Sequence, residues 1–198
     1  MRKNPKKVLI ACEESQTVCK AFRAKGHHAF SCDILPCSGG HPEWHLQQDC
    51  FEAITSIQWD LIIFHPDCTA MAVSGNRWYG KGMLMNEKRY KAIKWTVEIW
   101  DLIKEYSTSA VLENPVSVIF SQKGLEHPQY IQPWQFGHGE TKKTGLKLYN
   151  LKELKPTNIV PGREQRIWKM GPSPDRKRVR SVTYPGIADA FAEQWGKE

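Results

Sequence analysis

Trp59 to Gly75, WDLIIFHPDCTAMAVSG, is the stretch whose reading decides the fold. Leu61, Ile62, Ile63 and Phe64 form an unbroken apolar run, the pattern of a parallel strand covered on both faces. His65-Pro66-Asp67 stops it, because proline has no amide to extend the ladder. Cys68 then falls just beyond the strand's carboxyl end, where open α/β sheets bind their ligands. That placement makes the cysteine a site residue; a buried, inert thiol is the alternative for any cysteine taken alone.

Upstream, Val8 to Cys12 read as a short apolar strand, Glu13 to Thr17 as a turn, and the segment through about Lys25 as a helix with Val18, Ala21 and Phe22 at helical spacing and Gly26 as its stop. His27 to Cys32 make a second strand ending at Asp33, which closes a βαβ unit. An acid at that position commonly accepts hydrogen bonds from the ribose of a nucleotide-like cofactor, and a turn-capping aspartate is the other reading. The first turn, Glu13-Glu14-Ser15-Gln16, has no glycine to let a backbone approach a ligand, and its two carboxylates would repel a pyrophosphate. A cationic, phosphate-free cofactor fits better. Leu35 to His45 read as loop, His45 to Asp49 as a possible short strand with Asp49 a second polar candidate, and Phe51 to Ile57 as a short helix.

Downstream, Gly75 to Asn86 mix glycines, cations and aromatics without periodicity. This suits a mobile loop over nucleic acid, with Arg77 and Lys81 for phosphates and Trp78 for a base. Glu87 to Tyr106 read as the crossover helix. Ala110 to Leu112 form the next strand, which Glu113-Asn114-Pro115 should end, so that two neighbouring strands deliver polar residues to one edge. Gln129 to Phe136 and Leu146 to Leu151 are expected as strands, with Lys142 and Lys143 between them. Arg163 to Arg180 is a basic stretch broken by Gly171-Pro172-Ser173-Pro174, and Asp189 to Trp195 a terminal helix.

The totals agree with one domain over residues 1–198: 198 residues, 40% apolar, with 8 tryptophans, suffice for one well-buried core. A formal charge of +7 favours a polyanionic partner, nucleic acid before others. No apolar run approaches the roughly 20 residues of a membrane span, and the leading Met1 to Lys7 has no apolar segment, so a cytoplasmic protein is expected. The 6 cysteines are scattered and read as reduced. Cys32, Cys37, His41 and His45 lack the paired close spacings of a zinc site, so no metal is expected.

A cysteine with a carboxyl on the neighbouring strand end has a use in pyrimidine chemistry. A thiolate adds to carbon 6 of cytosine, the carboxyl supports the addition at nitrogen 3, and carbon 5 then attacks an electrophilic methyl group. Because a duplex hides carbon 6, such an enzyme flips the base or acts on an unpaired strand.

Pro66-x-Cys68 with Ser74-Gly75 downstream, followed by Glu113-Asn114-Pro115, resembles the proline-cysteine and glutamate-asparagine motifs of DNA cytosine carbon-5 methyltransferases. The segments VLIACEESQTV, SCDI, HPDCTAMAVSGNRWY, LENP, QPWQFGHGETKKTGL and RSVTYPGIADAFAEQWG make the chain look like a short, phage-encoded branch of that family nearly end to end. The resemblance implies an α/β, class I methyltransferase (Rossmann-like) sheet with helices on both faces, S-adenosyl-L-methionine as donor, and DNA as partner in the cytoplasm of a bacterial or phage-infected cell. It implies Cys68 as nucleophile, Glu113 at nitrogen 3 and Asn114 beside it. For the cofactor it implies Ala11, Glu13, Ser15, Gln16, Asp33, Asp49, Pro66 and Tyr184. Lys142 and Lys143 fall where cations near the base are expected, and residues 150–180, with Arg163 and Arg166, stand for a reduced recognition segment suited to short or loose sequence specificity. The chain departs from the family pattern in having Gln16 for a glycine, Asp67 for the proline before the cysteine, and Pro115 for valine. A carboxylate at Asp67 disfavours the thiolate of Cys68. Two alternatives stand beside this reading: a non-catalytic nucleic-acid or protein-binding module on the same fold, and a methyltransferase acting on a free cytosine nucleotide.

Overall fold

A computed structural model describes residues 4–197; Met1 to Lys3 of the leading basic segment lie outside the described residues. Its centre is a sheet of seven strands: β1 Lys7–Ala11, β2 His28–Asp33, β3 His45–Gln47, β4 Trp59–Phe64, β5 Ser107–Pro115, β6 Gln129–Ile131 and β7 Thr144–Tyr149. The spatial order is β3-β2-β1-β4-β5-β7-β6. The pairs among β1 to β5 are parallel, whereas β7 runs antiparallel to both β5 and β6. This is the class I methyltransferase arrangement of the Rossmann-like α/β fold. The order reverses between β1 and β4, and the crevice outside that reversal is where such sheets bind ligands.

The continuous apolar runs reflect two covered faces. Val8 and Ile10 of β1 and Leu61 and Ile63 of β4 point into one core with Val18, Phe22, Ile187, Phe191 and Trp195. Leu9, Ala11, Ile62 and Phe64 point to the other with Ile54, Ile99, Trp100 and Ile103. Alternation at period two across a sheet sandwiched by helices leaves no residue for solvent. The helices are α1 Thr17–Ala24 and α7 Pro185–Trp195 on the first face, and α2 Cys50–Thr55 and α4 Asn86–Tyr106 on the second.

The structure redraws several expected elements. β5 does not stop at Leu112: Glu113, Asn114 and Pro115 pair with Leu146, Gly145 and Thr144 of β7, so Glu113 and Asn114 sit inside the strand and Pro115 is its last residue. Proline is tolerated there as the last residue of the strand. Gly75 to Asn86 contain a short helix, α3 Asn76–Tyr79. Gln129 to Phe136 split into β6 and a 3₁₀ turn at Pro133–Gln135, and the basic stretch folds into α5 Arg166–Lys169 and α6 Arg176–Ser181. The terminal helix begins earlier than its apolar pattern suggests, with Pro185 in its first turn, where a missing amide costs nothing. A Cβ on Gly186 would overlap Phe136 O, so only glycine lets α7 start this close to the 3₁₀ turn.

Along α4 the inward face is out of phase with the apolar residues of its first half. Tyr90 is exposed while Arg89 is buried. Arg89 donates to Ala70 O at 2.7 Å, to Asn76 Oδ1 at 2.8 Å and to Ala72 O at 3.4 Å, which fastens the segment after Cys68 to the helix.

Trp195 is fully buried, stacks on Phe191 with ring centroids 4.5 Å apart and donates from Nε1 to Lys152 O at 3.0 Å. Trp195→Ala should lower unfolding free energy by about 3–5 kcal/mol in urea titration, the range for truncating a buried aromatic.

Candidate functional site

Strand register assembles the site. Ala11 lies beside Phe64, and Phe64 beside Leu112, so His65, just past β4, and Glu113, within β5, fall at the same level. The His65 amide donates to Ala11 O at 3.0 Å, and its Nδ1 lies 2.8 Å from Glu113 Oε2. The Asn114 amide donates to Pro66 O at 3.1 Å, tying β5 to the turn that carries Cys68. Within that turn Met71 and Ala72 amides donate to Cys68 O at 3.0 and 2.8 Å. Among the described residues, the buried side-chain polar atoms without a hydrogen-bond partner are His65 Nε2 and Asn114 Oδ1, both here. Buried polar atoms are rarely left so, and the two fall together between β4 and β5.

The electrostatics are divided. Burial pushes the Cys68 thiol up, the Glu113 and then Asp67 carboxylates push the same way, and the Lys142 ammonium opposes them. For Glu113 burial works against ionisation, but the hydrogen bond and charge of His65, with Lys142, outweigh it and hold the carboxyl below its usual range. Asp67 behaves similarly: burial opposes its charge, and two hydrogen bonds from Thr69 and the Lys177 ammonium 3.1 Å away prevail. Asp67 thus caps its own turn and tethers α6 while still disfavouring the thiolate.

In the turn after β1, Glu13 is buried, and its carboxylate accepts from the Val18 amide at 2.7 Å and the Cys19 amide at 3.2 Å. It fills the anion position at the start of α1, where a dinucleotide would place its pyrophosphate. Burial raises its carboxyl against the lowering influence of His65 and these amides. Asp33 at the end of β2 accepts from the Leu35 amide at 2.9 Å through Oδ1, and Asp49 caps α2 by accepting from Phe51 at 2.8 Å. Beside these carboxylates Ile34, Leu35 and Phe51 expose apolar surface at the same sheet edge. The sequence reading missed them, although an apolar residue directly after a strand-ending acid is a usable signal. A turn closed to phosphate, carboxylates along the β2 and β3 edges and an exposed apolar platform fit a cationic, aromatic-ring ligand such as S-adenosyl-L-methionine.

Other expected residues lie elsewhere or spend their polar atoms on the protein. Gln16 is fully buried; its amide donates to Ser31 Oγ at 3.2 Å and His41 O at 2.8 Å and accepts from His41 N at 3.0 Å. It staples the loop after β2 onto the first turn, with positive φ at 57°. Ser15 hydrogen-bonds Glu13 at 3.4 Å, and Ala11 and Pro66 are buried. Tyr184 donates to Glu140 Oε2 at 2.6 Å, and Arg166 holds the same carboxylate at 3.0 Å. Lys142 donates to Arg180 O at 2.8 Å, Lys143 lies 4.3 Å from the Tyr130 ring centroid and Arg163 3.9 Å from that of Trp134. Arg77 stacks on exposed Trp78 at 4.8 Å, and Lys81 is exposed nearby. Cys32 is buried, with its thiol pushed up to about 12 chiefly by burial, while His45 bonds Ser31 Oγ and Leu35 O, both at 2.9 Å.

No family model and no curated protein matches the chain. Among solved structures, the Dnmt2 methyltransferase of S. pombe is similar over 84% of this chain and 54% of its own, at 12% identity and a TM-score of 0.47. The bifunctional kinase-methyltransferase WbdD is similar over 76% of this chain and 38% of its own, at 10% identity and a TM-score of 0.44. An rRNA methylase of Escherichia coli is similar over 73% and 57%, at 15% identity and a TM-score of 0.39. The chain therefore spans less than two thirds of the length of each.

The opposed charges around Cys68 set a measurable order. Alkylation of Cys68 by iodoacetamide, followed by peptide mass spectrometry across pH, should have a midpoint above that of a free thiol. Asp67→Asn should move it down, and Lys142→Ala should move it up. Separately, Glu13→Ala leaves two amides of α1 uncapped and should cost about 1–2 kcal/mol in denaturant unfolding.

Proposed function

We propose that the chain is an S-adenosyl-L-methionine-dependent methyltransferase acting on carbon 5 of cytosine, with DNA as the first substrate to test. The observation that carries this reading is the meeting of Cys68, Glu113 and the two orphaned polar atoms at the crevice beside the β1–β4 reversal. Cys68 supplies the sulfur that adds to carbon 6, which makes carbon 5 nucleophilic. Glu113, fixed within β5 and held by His65, meets nitrogen 3 of the ring. Asn114 holds the Pro66 turn, so the sulfur and carboxylate keep their separation. S-adenosyl-L-methionine, when bound, would supply an electrophilic methyl group; Asp33 and Asp49 would accept hydrogen bonds from it, and the exposed Ile34 and Phe51 would take its apolar surface. The basic surface grips polyanion: Arg77, Trp78 and Lys81 on one side of Cys68, and residues 150–180 with α5 and α6 on the other, within a single domain.

A second reading, a binding module without transfer activity, rests on the raised thiol of Cys68. One assay decides. The protein is incubated with methyl-labelled S-adenosyl-L-methionine and, separately, duplex DNA, single-stranded DNA, RNA and dCMP, beside Cys68→Ala. Label in DNA that falls by at least about a hundredfold in Cys68→Ala supports the proposal. Label in dCMP alone assigns a free nucleotide. No cofactor binding by calorimetry and no transfer to any substrate would sink the enzymatic reading. A 5-fluorocytosine duplex should further leave a covalent adduct on Cys68.

A further inference from the structure

His65, just past the end of β4, contacts a carboxylate on the neighbouring strand β5. Its Nδ1 is 2.8 Å from Glu113 Oε2, with the two side chains only 11% and 16% exposed. From the turn after β1, the charge of Glu13 acts across His65, and Cys68 and Lys142 complete the charged groups around the pair. His65 Nε2 is buried without a partner. A histidine that only filled space would not keep one nitrogen on a buried carboxylate and leave the other unsatisfied.

The cytosine reading, on which this inference rests, requires a proton at nitrogen 3 that arrives as the sulfur adds and departs as it leaves. Glu113, kept ionised by its neighbours, comes to the base without one. Imidazole exchanges protons near neutrality and touches the carboxylate. We propose that His65 is the positioning residue that lends Glu113 its proton. The Cys68 sulfur pair forms the bond to carbon 6, the C5=C6 π pair moves to C4–C5, and the C4=N3 π pair becomes an N–H bond at nitrogen 3. That proton comes from Glu113, which takes the Nδ1 proton of the His65 imidazolium and leaves neutral imidazole. On elimination the C5–H pair re-forms C5=C6 as that proton leaves to solvent water, the C6–S pair returns to Cys68, and the nitrogen 3 proton retraces its path through Glu113 to His65.

His65→Gln keeps a hydrogen-bond donor towards Glu113 but cannot ferry a proton. It should bind S-adenosyl-L-methionine with unchanged Kd by calorimetry, lose at least about a hundredfold in methyl transfer, and lose the limb of the kcat/KM–pH profile that His65 supplies. Transfer within threefold of wild type with an unchanged profile overturns the proposal. A readout independent of activity covers a variant that does not fold. In wild type, the His65 Nδ1 proton followed by ¹H–¹⁵N NMR should lie further downfield than in Glu113→Gln, as a proton shared with a carboxylate 2.8 Å away does; identical shifts overturn the pairing. Wild-type protein that transfers no methyl group to any substrate rejects the cytosine reading itself, while the NMR comparison still decides the coupling.

Discussion

The register of β1, β4 and β5 is the constraint on which the rest depends. Parallel pairing fixes Ala11, Phe64 and Leu112 at one level, and His65 and Glu113 meet one residue later. A one-residue slip of β4 would turn Ile62 and Phe64 towards the opposite core and move His65 off Glu113. Since both faces of β4 are packed with apolar side chains, each core opposes that slip. Packing far from the crevice therefore holds a 2.8 Å hydrogen bond within it.

A second layer of order comes from polar groups that serve structure at the site's margin. Arg89 fastens the segment after Cys68 to α4, Asn114 fastens Pro66 to β5, and Gln16 fastens the loop after β2 to the first turn. Each joins elements distant in sequence through a buried or partly buried bond, the kind that leaves a costly orphan when one partner is removed. The charge around Cys68 is the counterpart: two carboxylates and one ammonium meet a sulfur that burial already disfavours as an anion.

Much of this was legible in the sequence, and the reasons are local. The strands β1, β2 and β4 announce themselves as short apolar runs closed by polar residues, and Cys68 and Glu113 stand out because each follows such a run. What escaped depended on distant partners. Glu113-Asn114-Pro115 reads as a stop after Leu112, yet β7 supplies an antiparallel neighbour that carries β5 on as far as Pro115. Arg89 reads as a solvated charge, yet the segment at Ala70 to Asn76 buries it. His65 reads as part of a strand terminator, and nothing within its neighbourhood reveals a carboxylate forty-eight positions away. Glu13 reads in the sequence as a charge that would repel phosphate; the structure shows it capping the Val18 and Cys19 amides, a contact its neighbours in sequence do not reveal.

That capping has a further consequence. In many nucleotide-binding sheets the first helix is electrically incomplete until a ligand arrives, so ligand and fold share one unmet need. Here the counter-anion is covalently part of the chain and cannot dissociate. The two amides are thus spoken for by a group that never leaves, and the helix start is complete in the folded chain itself.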